Sequence, residues 1–445
     1  MGRHRLVPYP RRGYSVLVAS YRGATDRKRL QDSRASGFRR IPLACAPDSL
    51  EHHQRPMFKA SENSTREQQR TDLAIFVATS GHSGVDRIIA NLLPEFSKAG
   101  LQIDLLRVRN HGPWITELPP RVRAIDLQRR HVTQCLNPLI RYLRDAQPRV
   151  LLSDKDRANR TALRARRRAG SDTRCFVRLG TTVSANLANK GILDAWIERR
   201  SLRRYSSADG VIVPSRGAAD DLAKTAGLSR DHIHVLPNPV VTPAMEEQTA
   251  KVSPAPHPWL ADDAELPVIM ACGSLTQRKD YATLLHAFAQ TRQQRPSNLL
   301  ILGCGSEHAQ LVRLSRELDI HEHVDFPGFV DDPIPWMQRA SVFAHTSRWE
   351  GLGIVLIEAL ACGLPVVAMD CPSGPAEILD GGRIGTLVAL GDTSAFATAL
   401  LDELSGDRCP DTAIDRAREF RVDIAAQAYL ATLGFAPHHS RAPNA

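Results

Sequence analysis

The sequence predicts an α/β protein with two Rossmann-like domains that face a central cleft, preceded by a disordered basic leader. Three observations predict this fold class. From residue 71 onward, short apolar runs alternate with segments of helical periodicity. A polar stretch rich in proline interrupts the alternation at 240–266, and residues 1–70 show no such pattern. A chain of 445 residues, 42% of them hydrophobic, is long enough for two or three domains with their own cores.

The leader, residues 1–70, is strongly basic. It contains 15 lysine and arginine residues against 6 aspartate and glutamate residues, so it carries most of the formal net charge of +10. It has neither regular periodicity nor the apolar core of a signal peptide, which favours a disordered tail over a nucleic-acid-binding or lipid-binding arm. No nucleic-acid partner is therefore expected. Deleting the leader should leave turnover and melting temperature essentially unchanged.

The apolar runs and the cysteines of the chain indicate its cellular compartment. The longest apolar runs, such as LLILG from residue 299 and GLPVVAM from residue 363, are far shorter than a bilayer requires. The eight cysteines form no CxxC pair, and several lie inside apolar runs, as expected of buried thiols in a reducing environment. These patterns predict a cytoplasmic protein that does not span a membrane.

The first domain is predicted to occupy 71–240. It opens with an apolar strand at 72–80, a GHSG turn and a helix at 85–100, and LQIDLLRV then forms a second strand. This order is a βαβ unit. Three further strands are predicted in RVLLS, RCFVRLG and GVIVPS, and helical stretches separate them, which indicates a doubly wound parallel sheet.

The second domain is predicted to occupy 241–414, and its alternation of strands and helices restarts after the linker. Its strands are expected in PVIMACGS, SNLLILGCG, HVDFPGFV, ASVFAHTS and GLPVVAM, with helices between them. The tail at about 415–435 has apolar residues at helical spacing and is predicted to pack back on the first domain. These residues are Phe420, Ile424, Ala425, Ala428 and Leu430.

The segment SRWEGLGIVLIEALA, from residue 347, carries the first candidate site. Glu350 and Glu358 are separated by seven residues, and Gly353 precedes an apolar helix. Free N–H groups at a helix start bind phosphates, and glycine lets a ligand approach the backbone closely. Glu358 would lie roughly 7.5 Å along that helix, where a carboxylate can accept both hydroxyls of a ribose. Glu350 would face the other end of a bound diphosphate.

Two further motifs carry charge at strand ends. SLTQRKD places Arg278 and Lys279 in the loop after the first strand of the second domain, where both cations can neutralise a leaving diphosphate. SDKD places Asp154 and Asp156 in a pattern that can hold a divalent metal. The Arg-rich segment that follows favours a loop and helix N-cap there instead, so no metal is expected and Asp154→Ala should affect turnover mildly.

Several segments together resemble the donor half of the family-four glycosyltransferases. In order, they are GSLTQRKDYATLLHAF, LLILGCGSE, PGFV, SRWEGLGIVLIEALACGLPVVA and PSGPAEIL. SGHSGVDRIIANLLPEFSKAG resembles the glycine loop and first helix of that family, and VPSRGAADDLA and VLPNPV resemble the end of its acceptor domain. The resemblance spans about 72–435 and implies the GT-B fold, a nucleotide-sugar donor and retention of anomeric configuration.

The resemblance also implies site residues. Glu350 would contact the transferred sugar, and Lys279 and Arg278 would complete the catalytic set on the diphosphate. Glu358 would hold the ribose. The other implied donor-binding residues are Leu352, Gly353 and Ile354 at the helix start, Gly81 and Gly84 in the first-domain loop, and Phe329 and Val330 beside the base.

The sequence departs from the family at two positions. Many members carry a histidine in the region that here reads RLGTTVS, where Gly180 and Thr181 stand, and Ser274 replaces the usual arginine after the first glycine. His82, in the glycine loop, is the nearest candidate to replace the imidazole. It competes with the simpler interpretation of an exposed loop histidine.

The implied reaction is transfer of a hexosyl or N-acetylhexosaminyl group from a UDP-sugar to a glycan or lipid-linked acceptor. It would be metal-independent, need no cofactor, and serve envelope polysaccharide or glycolipid synthesis. Two alternatives stay open: a GT-B-fold nucleotide-sugar epimerase, and a donor-binding subunit without activity. Because relatives act on lipid-linked glycans, the Arg-rich helix after Asp156 is also a candidate for peripheral contact with anionic lipid at the inner face of the membrane.

Overall fold

A computed structural model describes residues 70–79, 81, 83–113, 115, 117–406 and 410–435. All of these belong to one compact unit. The predicted leader, apart from Arg70, lies outside the described residues, as does His82.

The first sheet of the described chain has seven parallel strands in the order β3-β2-β1-β4-β5-β6-β7. The strands are β1 (Leu73–Val77), β2 (Ile103–Arg107), β3 (Val122–Asp126), β4 (Val150–Asp154), β5 (Arg174–Arg178), β6 (Gly210–Val213) and β7 (Ile233–Val235). The helices are α1 (Gly84–Lys98), α2 (Leu136–Ala146), α3 (Asp156–Ala169), α4 (Val183–Ala188), α5 (Ile192–Leu202) and α6 (Arg216–Ala226). The strand order reverses between β1 and β4, as in a doubly wound sheet.

The core of the first domain lies on both faces of this sheet. Successive side chains of a strand point to opposite faces. In β1, Ala74 and Phe76 pack in the cluster formed with α2 and α3, whereas Leu73, Ile75 and Val77 pack in the cluster on the α1 side. Burial on both faces explains why the central strands are continuous apolar runs in the sequence.

The second sheet comprises six parallel strands within the described residues, in the order β10-β9-β8-β11-β12-β13. They are β8 (Val268–Cys272), β9 (Asn298–Leu302), β10 (Val324–Gly328), β11 (Val342–His345), β12 (Val366–Asp370) and β13 (Thr386–Ala389). The remaining helices are α7 (Pro243–Thr249), α8 (Tyr281–Gln294), α9 (His308–Glu317), α10 (Ile334–Met337), α11 (Ile354–Ala361), α12 (Pro375–Ile378), α13 (Thr393–Ser405), α14 (Pro410–Arg418) and α15 (Val422–Leu433). The predicted fold class of two parallel-sheet, Rossmann-like domains is confirmed.

The end of the chain is shared between the two domains. Ala413 and Ala417 of α14, followed by Phe420, pack in the core beneath α11. The chain then passes to the first domain, where Tyr429 of α15 packs against Phe96 with ring centroids 6.4 Å apart. Ile424, expected to face the core, is exposed instead.

The passage between domains is held by backbone hydrogen bonds. The outgoing segment at 240–241 lies beside the returning one, and Val241 and Arg421 form a parallel bridge. The N–H of Val240 donates to the carbonyl of Phe420 over 3.0 Å, and the N–H of Val422 donates to that of Val241 over 3.0 Å. The two connections therefore form one paired crossing.

Candidate active site

The candidate site is built where loops of the second domain meet the first domain. Residues 273–280 follow β8, and residues 346–353 follow β11 and lead into α11. Gly353 caps α11 with φ of +96°, a left-handed conformation that favours glycine. The free N–H groups of the first turn of α11 therefore lie at the carboxyl edge of the sheet, where ligands of such folds bind.

Glu350 is the centre of a buried charge cluster. Its carboxylate accepts hydrogen bonds from Lys279 Nζ over 2.7 Å and from Arg278 Nη1 over 2.6 Å. Ser347 Oγ donates to the same carboxylate over 2.8 Å. The structure therefore brings together the three residues predicted to be catalytic. It also shows that both cations are bonded to Glu350 itself.

The electrostatics of this cluster keep Glu350 charged. Burial alone would raise the pKa of the Glu350 carboxyl. The nearby positive charges of Lys279 and Arg278 lower it by more than burial raises it, so the pKa lies well below its ordinary value. His345, at the end of β11, has Nε2 3.7 Å from Glu350 Oε1 and no hydrogen-bond partner for it among the described residues. Burial and the nearby Lys279 lower the pKa of His345 to about 3, so its ring is neutral.

Glu358 lies on the buried face of α11 and has a different partner. Arg87 Nη1, from α1 of the first domain, lies 2.5 Å from Glu358 Oε1 in an ion pair. Oε1 accepts no aligned hydrogen bond, so the pairing is chiefly coulombic. Burial raises the pKa of Glu358, and Arg87 offsets only part of that rise. Glu358 thus depends on the first domain for its nearest positive charge.

The loop that carries Glu350 is held directly by the first domain. Thr182 Oγ1 donates to the backbone carbonyl of Glu350, and Ser215 Oγ donates to that of Gly351 over 2.6 Å. A Cβ atom at position 351 would overlap the backbone oxygen of Gly180. The two domains are therefore in backbone contact at this loop, which explains the need for glycine at 351.

A second contact between the domains caps a helix. The backbone N–H groups of Arg216 and Gly217, at the start of α6, donate to the Glu377 carboxylate over 2.8 and 2.9 Å. A carboxylate at a helix N-terminus is stabilised by the free N–H groups and by the helix dipole. Glu377 of α12 therefore fixes the position of α6 against the second domain.

The predicted glycine loop lies opposite the start of α11. Gly84 is the first residue of α1, and a Cβ atom there would lie 3.2 Å from Ile354 Cδ1. Gly81 has φ of +93°. The structure thus brings Gly84 and Ile354 together across the domain boundary.

The other predicted donor-binding residues lie around α11 and β10. Leu352 is buried and packs in the core with Leu356 of α11, and Val330 packs on the same cluster. Phe329 is exposed after β10, at the edge of the sheet. Their roles toward a donor stay predictions.

The SDKD motif leads from β4 into α3, and the predicted N-cap falls within it. Asp154 is the last residue of β4, Lys155 is the N-cap residue, and Asp156 begins α3. Asp154 Oδ2 accepts a hydrogen bond from the fully buried Arg178 over 2.6 Å, and Asp156 Oδ1 accepts one from Tyr205 over 2.7 Å. The Asp154 carboxylate is thus buried in the first domain, so replacing it should cost stability, and its mild effect on turnover stays a prediction.

Five residues of the site were not identified from the sequence, namely Arg87, Thr182, Ser215, His345 and Glu377. Arg87 and Thr182 stand in the first domain and act across the cleft, so no local spacing links them to the glutamates. His345 lies inside an apolar run and resembles a core residue there. Ser215 could have been identified as a helix N-cap from the sequence, because a serine directly before a helical segment is typical of that position.

Two family models match the chain and together cover more than half of it. The model described as Glycosyl transferase 4-like domain matches residues 83–239, which span the first domain. The model described as Glycosyl transferases group 1 matches residues 266–405, which include the Glu350 cluster and α11.

Curated relatives agree with these models. The chain is 27% identical over 394 residues to the Campylobacter jejuni N-acetylgalactosamine-N,N'-diacetylbacillosaminyl-diphospho-undecaprenol 4-alpha-N-acetylgalactosaminyltransferase, covering 81% of this chain and 99% of the relative. It is 24% identical over 353 residues to the Escherichia coli lipopolysaccharide 1,6-galactosyltransferase, covering 74% and 88%. It is 33% identical over 223 residues to the Mycolicibacterium smegmatis GDP-mannose-dependent alpha-(1-6)-phosphatidylinositol monomannoside mannosyltransferase, covering 48% and 57%.

Solved structures have the same fold. The lipopolysaccharide outer core galactosyltransferase WaaB superposes with a TM-score of 0.63 at 20% identity, covering 82% of this chain and 99% of that one. HepE of Anabaena, crystallised with UDP-glucose, superposes with a TM-score of 0.64 at 20% identity, covering 82% and 100%. With two Rossmann-like domains in the GT-B arrangement and both halves matched by family models, the chain belongs to the group 1 family of glycosyltransferases.

Proposed function

We propose that the protein transfers a hexosyl or N-acetylhexosaminyl group from a UDP-sugar to a glycan or lipid-linked acceptor, with retention of configuration. The observation that carries this proposal is the Glu350 carboxylate held between Lys279 and Arg278 at the edge of the cleft. The relatives' names support the acceptor class, since one acts on a diphospho-undecaprenol glycan and one on lipopolysaccharide. HepE was crystallised with UDP-glucose, which supports a UDP-linked donor.

The hydrogen-bonding capacity of the cluster is sufficient for a diphosphate. Lysine has three N–H donors and arginine has five, and each side chain uses one N–H on Glu350 in the structure. The remaining N–H groups, with those at the start of α11, are free to face phosphate oxygens. Fixed donors of this kind stabilise charge as it develops on a leaving group, without a metal or cofactor.

Glu350 and Glu358 are assigned to the two ends of the donor. The Glu350 carboxylate, kept ionised by its neighbours, would accept hydroxyls of the transferred sugar and stabilise positive charge at its anomeric carbon. Glu358 would accept the ribose hydroxyls, a contact that competes with Arg87 for the same carboxylate. An acceptor hydroxyl attacks the anomeric carbon as the bond to the phosphate oxygen breaks. Its proton passes to that departing oxygen, so no protein nucleophile is needed.

The test begins with donor identity. Thermal shift with UDP-glucose, UDP-galactose, their N-acetylamino forms and GDP-mannose should show stabilisation by a UDP-sugar, and mass spectrometry should then detect released UDP. GDP-mannose is included because one relative depends on it. Stabilisation by GDP-mannose alone would refute the UDP assignment. Interconversion of nucleotide sugars without an acceptor would favour an epimerase, and binding without nucleotide release would favour a non-catalytic subunit.

Metal dependence and stereochemistry are tested on the same reaction. EDTA should leave turnover nearly intact, because Lys279 and Arg278 meet the diphosphate charge. Turnover that EDTA abolishes and Mg²⁺ or Mn²⁺ restores would contradict this part of the proposal. The anomeric configuration of the product, read by NMR, should match that of the donor.

A further inference from the structure

His345 is a buried polar side chain that the packing of β11 does not explain. It is the last residue of that strand, pairs in register with Ala368 of β12, and is only 3% exposed. Its Nε2 has no hydrogen-bond partner in the part of the chain that the structure describes. A buried polar atom without a partner costs free energy, whereas an apolar side chain at the same place would not. The histidine therefore indicates a role other than packing.

The Glu350 oxygen that lies near His345 already has two donors. Lys279 Nζ donates to Oε1 over 2.7 Å, and Ser347 Oγ donates to it over 2.8 Å. A carboxylate oxygen offers about two acceptor positions. His345 Nε2 lies 3.7 Å from the same Oε1, beyond the roughly 2.7–3.2 Å of an N–H···O hydrogen bond. The imidazole is thus kept from Oε1 by donors that are already in place.

Lys279 is the donor of this pair that can leave. The proposed function places its ammonium on the diphosphate, and the ammonium stands on a flexible stem of four carbons. The stem passes over Gly273, where a Cβ atom would lie 2.8 Å from Lys279 Cε, so the glycine leaves room for it. Ser347 has a short side chain in the same loop as Glu350 and stays in place. When Lys279 turns to a phosphate oxygen, one acceptor position on Oε1 becomes vacant.

We propose that His345 is a positioning residue for Glu350, whose Oε1 accepts the His345 Nε2–H when Lys279 transfers its hydrogen bond to the leaving diphosphate. This exchange of donors keeps the carboxylate oriented toward the sugar while charge develops at the anomeric carbon. Because the pKa of His345 is about 3, the ring is neutral and donates without cancelling the negative charge of Glu350. The inference rests on the proposed function, since that function is what brings Lys279 to a diphosphate.

Tyr281 is a second buried side chain whose polar atom has no hydrogen-bond partner among the described residues. Its hydroxyl oxygen would lie 3.0 Å from a Cβ atom at position 273, which is also where the stem of Lys279 passes. Tyr281 therefore borders the lysine stem, whereas His345 borders the carboxylate itself. This difference favours His345 as the replacement donor and makes Tyr281 a matched control.

The exchange can be tested without a substrate, because Lys279→Ala removes the first donor permanently. In the unchanged protein, His345→Leu should not lower the urea midpoint of unfolding, since an apolar side chain replaces an unpartnered polar one. In the Lys279→Ala background, the same change should lower the midpoint by about 0.3–0.5 M, because Nε2–H then bonds Oε1. His345→Gln keeps a side-chain N–H and should retain the midpoint there. Tyr281→Phe should shift the midpoint equally in both backgrounds.

Turnover tests the exchange during the reaction. His345→Leu should lower kcat by about tenfold, the effect of one hydrogen bond lost in the transition state, and should leave KM for the UDP-sugar nearly unchanged. His345→Gln should restore most of kcat. A purely structural role predicts the reverse order, because leucine suits a buried strand better than glutamine does. The control is His234→Leu, at a half-buried histidine of β7, which should leave kcat unchanged.

Three outcomes would overturn the proposal. The first is an equal shift of the urea midpoint by His345→Leu in both backgrounds. The second is coupling of Lys279→Ala to Tyr281→Phe and not to His345→Leu. The third is a kcat that His345→Leu does not lower or that His345→Gln does not restore. Failure of the proposed function gives a different result, because the unchanged protein would then release no UDP. The unfolding measurements would still decide whether His345 replaces Lys279 on Glu350.

Discussion

Both domains bury a carboxylate against a cation at the carboxyl edge of a parallel sheet, yet the two arrangements differ in what surrounds them. In the first domain, Asp154 pairs with Arg178 over 2.6 Å. Two further N–H groups of Arg178 donate to Tyr429 of α15 over 2.9 Å and to Asn238 over 2.6 Å. In the second domain, Glu350 pairs with Lys279 and with Arg278, whose side chain is 33% exposed.

A buried charge pair therefore does not by itself mark an active site. Arg178 is fully buried and each of its three nitrogens donates a hydrogen bond within the protein, so its network holds α15 on the first sheet. In the Glu350 cluster, Nε and Nη2 of the partly exposed Arg278 have no hydrogen-bond partner among the described residues, and the cluster precedes the start of α11. What distinguishes the second arrangement is hydrogen-bonding capacity left for a ligand.

The sharpest test of the first arrangement is Asp154→Ala. It leaves the Arg178 guanidinium buried without its counter-charge, which typically costs about 3–5 kcal/mol of unfolding free energy. Urea denaturation should show this loss, and Asp156→Ala, in the same motif but half-exposed, should lose much less. Turnover per folded molecule should be nearly unchanged. A loss below about 1 kcal/mol would show that Arg178 finds another partner.

The matching test of the second arrangement is Lys279→Ala. It should lower kcat by about 10²–10³, the usual effect of removing one preorganised electrostatic donor. The variant should still fold, because Arg278 and Ser347 keep Glu350 hydrogen-bonded. Steady-state kinetics measure the effect, with the exposed Lys224→Ala as control. A kcat within a few-fold of the unchanged protein would remove Lys279 from the proposed mechanism.

Glu358→Ala probes the carboxylate that depends on the other domain. Donor binding should weaken by about 1.5–3 kcal/mol, the scale of hydrogen bonds to a charged group. Isothermal calorimetry provides the measurement. The loss should persist in an Arg87→Ala background, since the proposed partner is the ribose and not Arg87. Unchanged donor affinity in a folded variant would exclude Glu358 from the donor site.

The smallest expected effect is on pH dependence. Because the pKa of Glu350 is lower in the folded protein than its ordinary value, its stabilising contribution is complete above that ordinary value. The contribution is lost as pH falls below it, by up to about 1.4 kcal/mol per pH unit.

Glu350→Gln should therefore flatten the fall in unfolding free energy between about pH 5 and pH 3. Urea melts across that range measure it, and Glu317→Gln, at an exposed position of α9, should leave the fall unchanged. A slope that Glu350→Gln does not alter would mean that the carboxyl is not held ionised by its neighbours.

The central strands of both sheets were predictable because burial on two faces requires continuous apolar residues. The edge strands β3, β7 and β13 were missed. In β3, the sequence VRAID is largely exposed, so it has no apolar run to reveal it. The tail was predicted as one helix, whereas the chain breaks at 419–421 and divides between two cores, which a periodicity count cannot show.

The site was predictable where its residues follow a strand or begin a helix. Arg278, Lys279 and Glu350 stand in loops directly after β8 and β11, and Gly353 marks the start of α11. Arg87 and Thr182 were not predictable, since they reach the site only through the packing of one domain on the other. Local spacing carries no information about contacts across a cleft.

The paired crossing of Val241 and Arg421 has a mechanical consequence. Two connections that lie apart from each other would restrict the domains to rotation about the axis that joins them. Here the outgoing and returning segments are bonded side by side, so they act as one pivot. Any rotation of one domain against the other would then also strain the contacts outside the crossing, such as Arg87 with Glu358 and Glu377 with the start of α6. Breaking those contacts should widen the range of rotation without loosening the crossing itself.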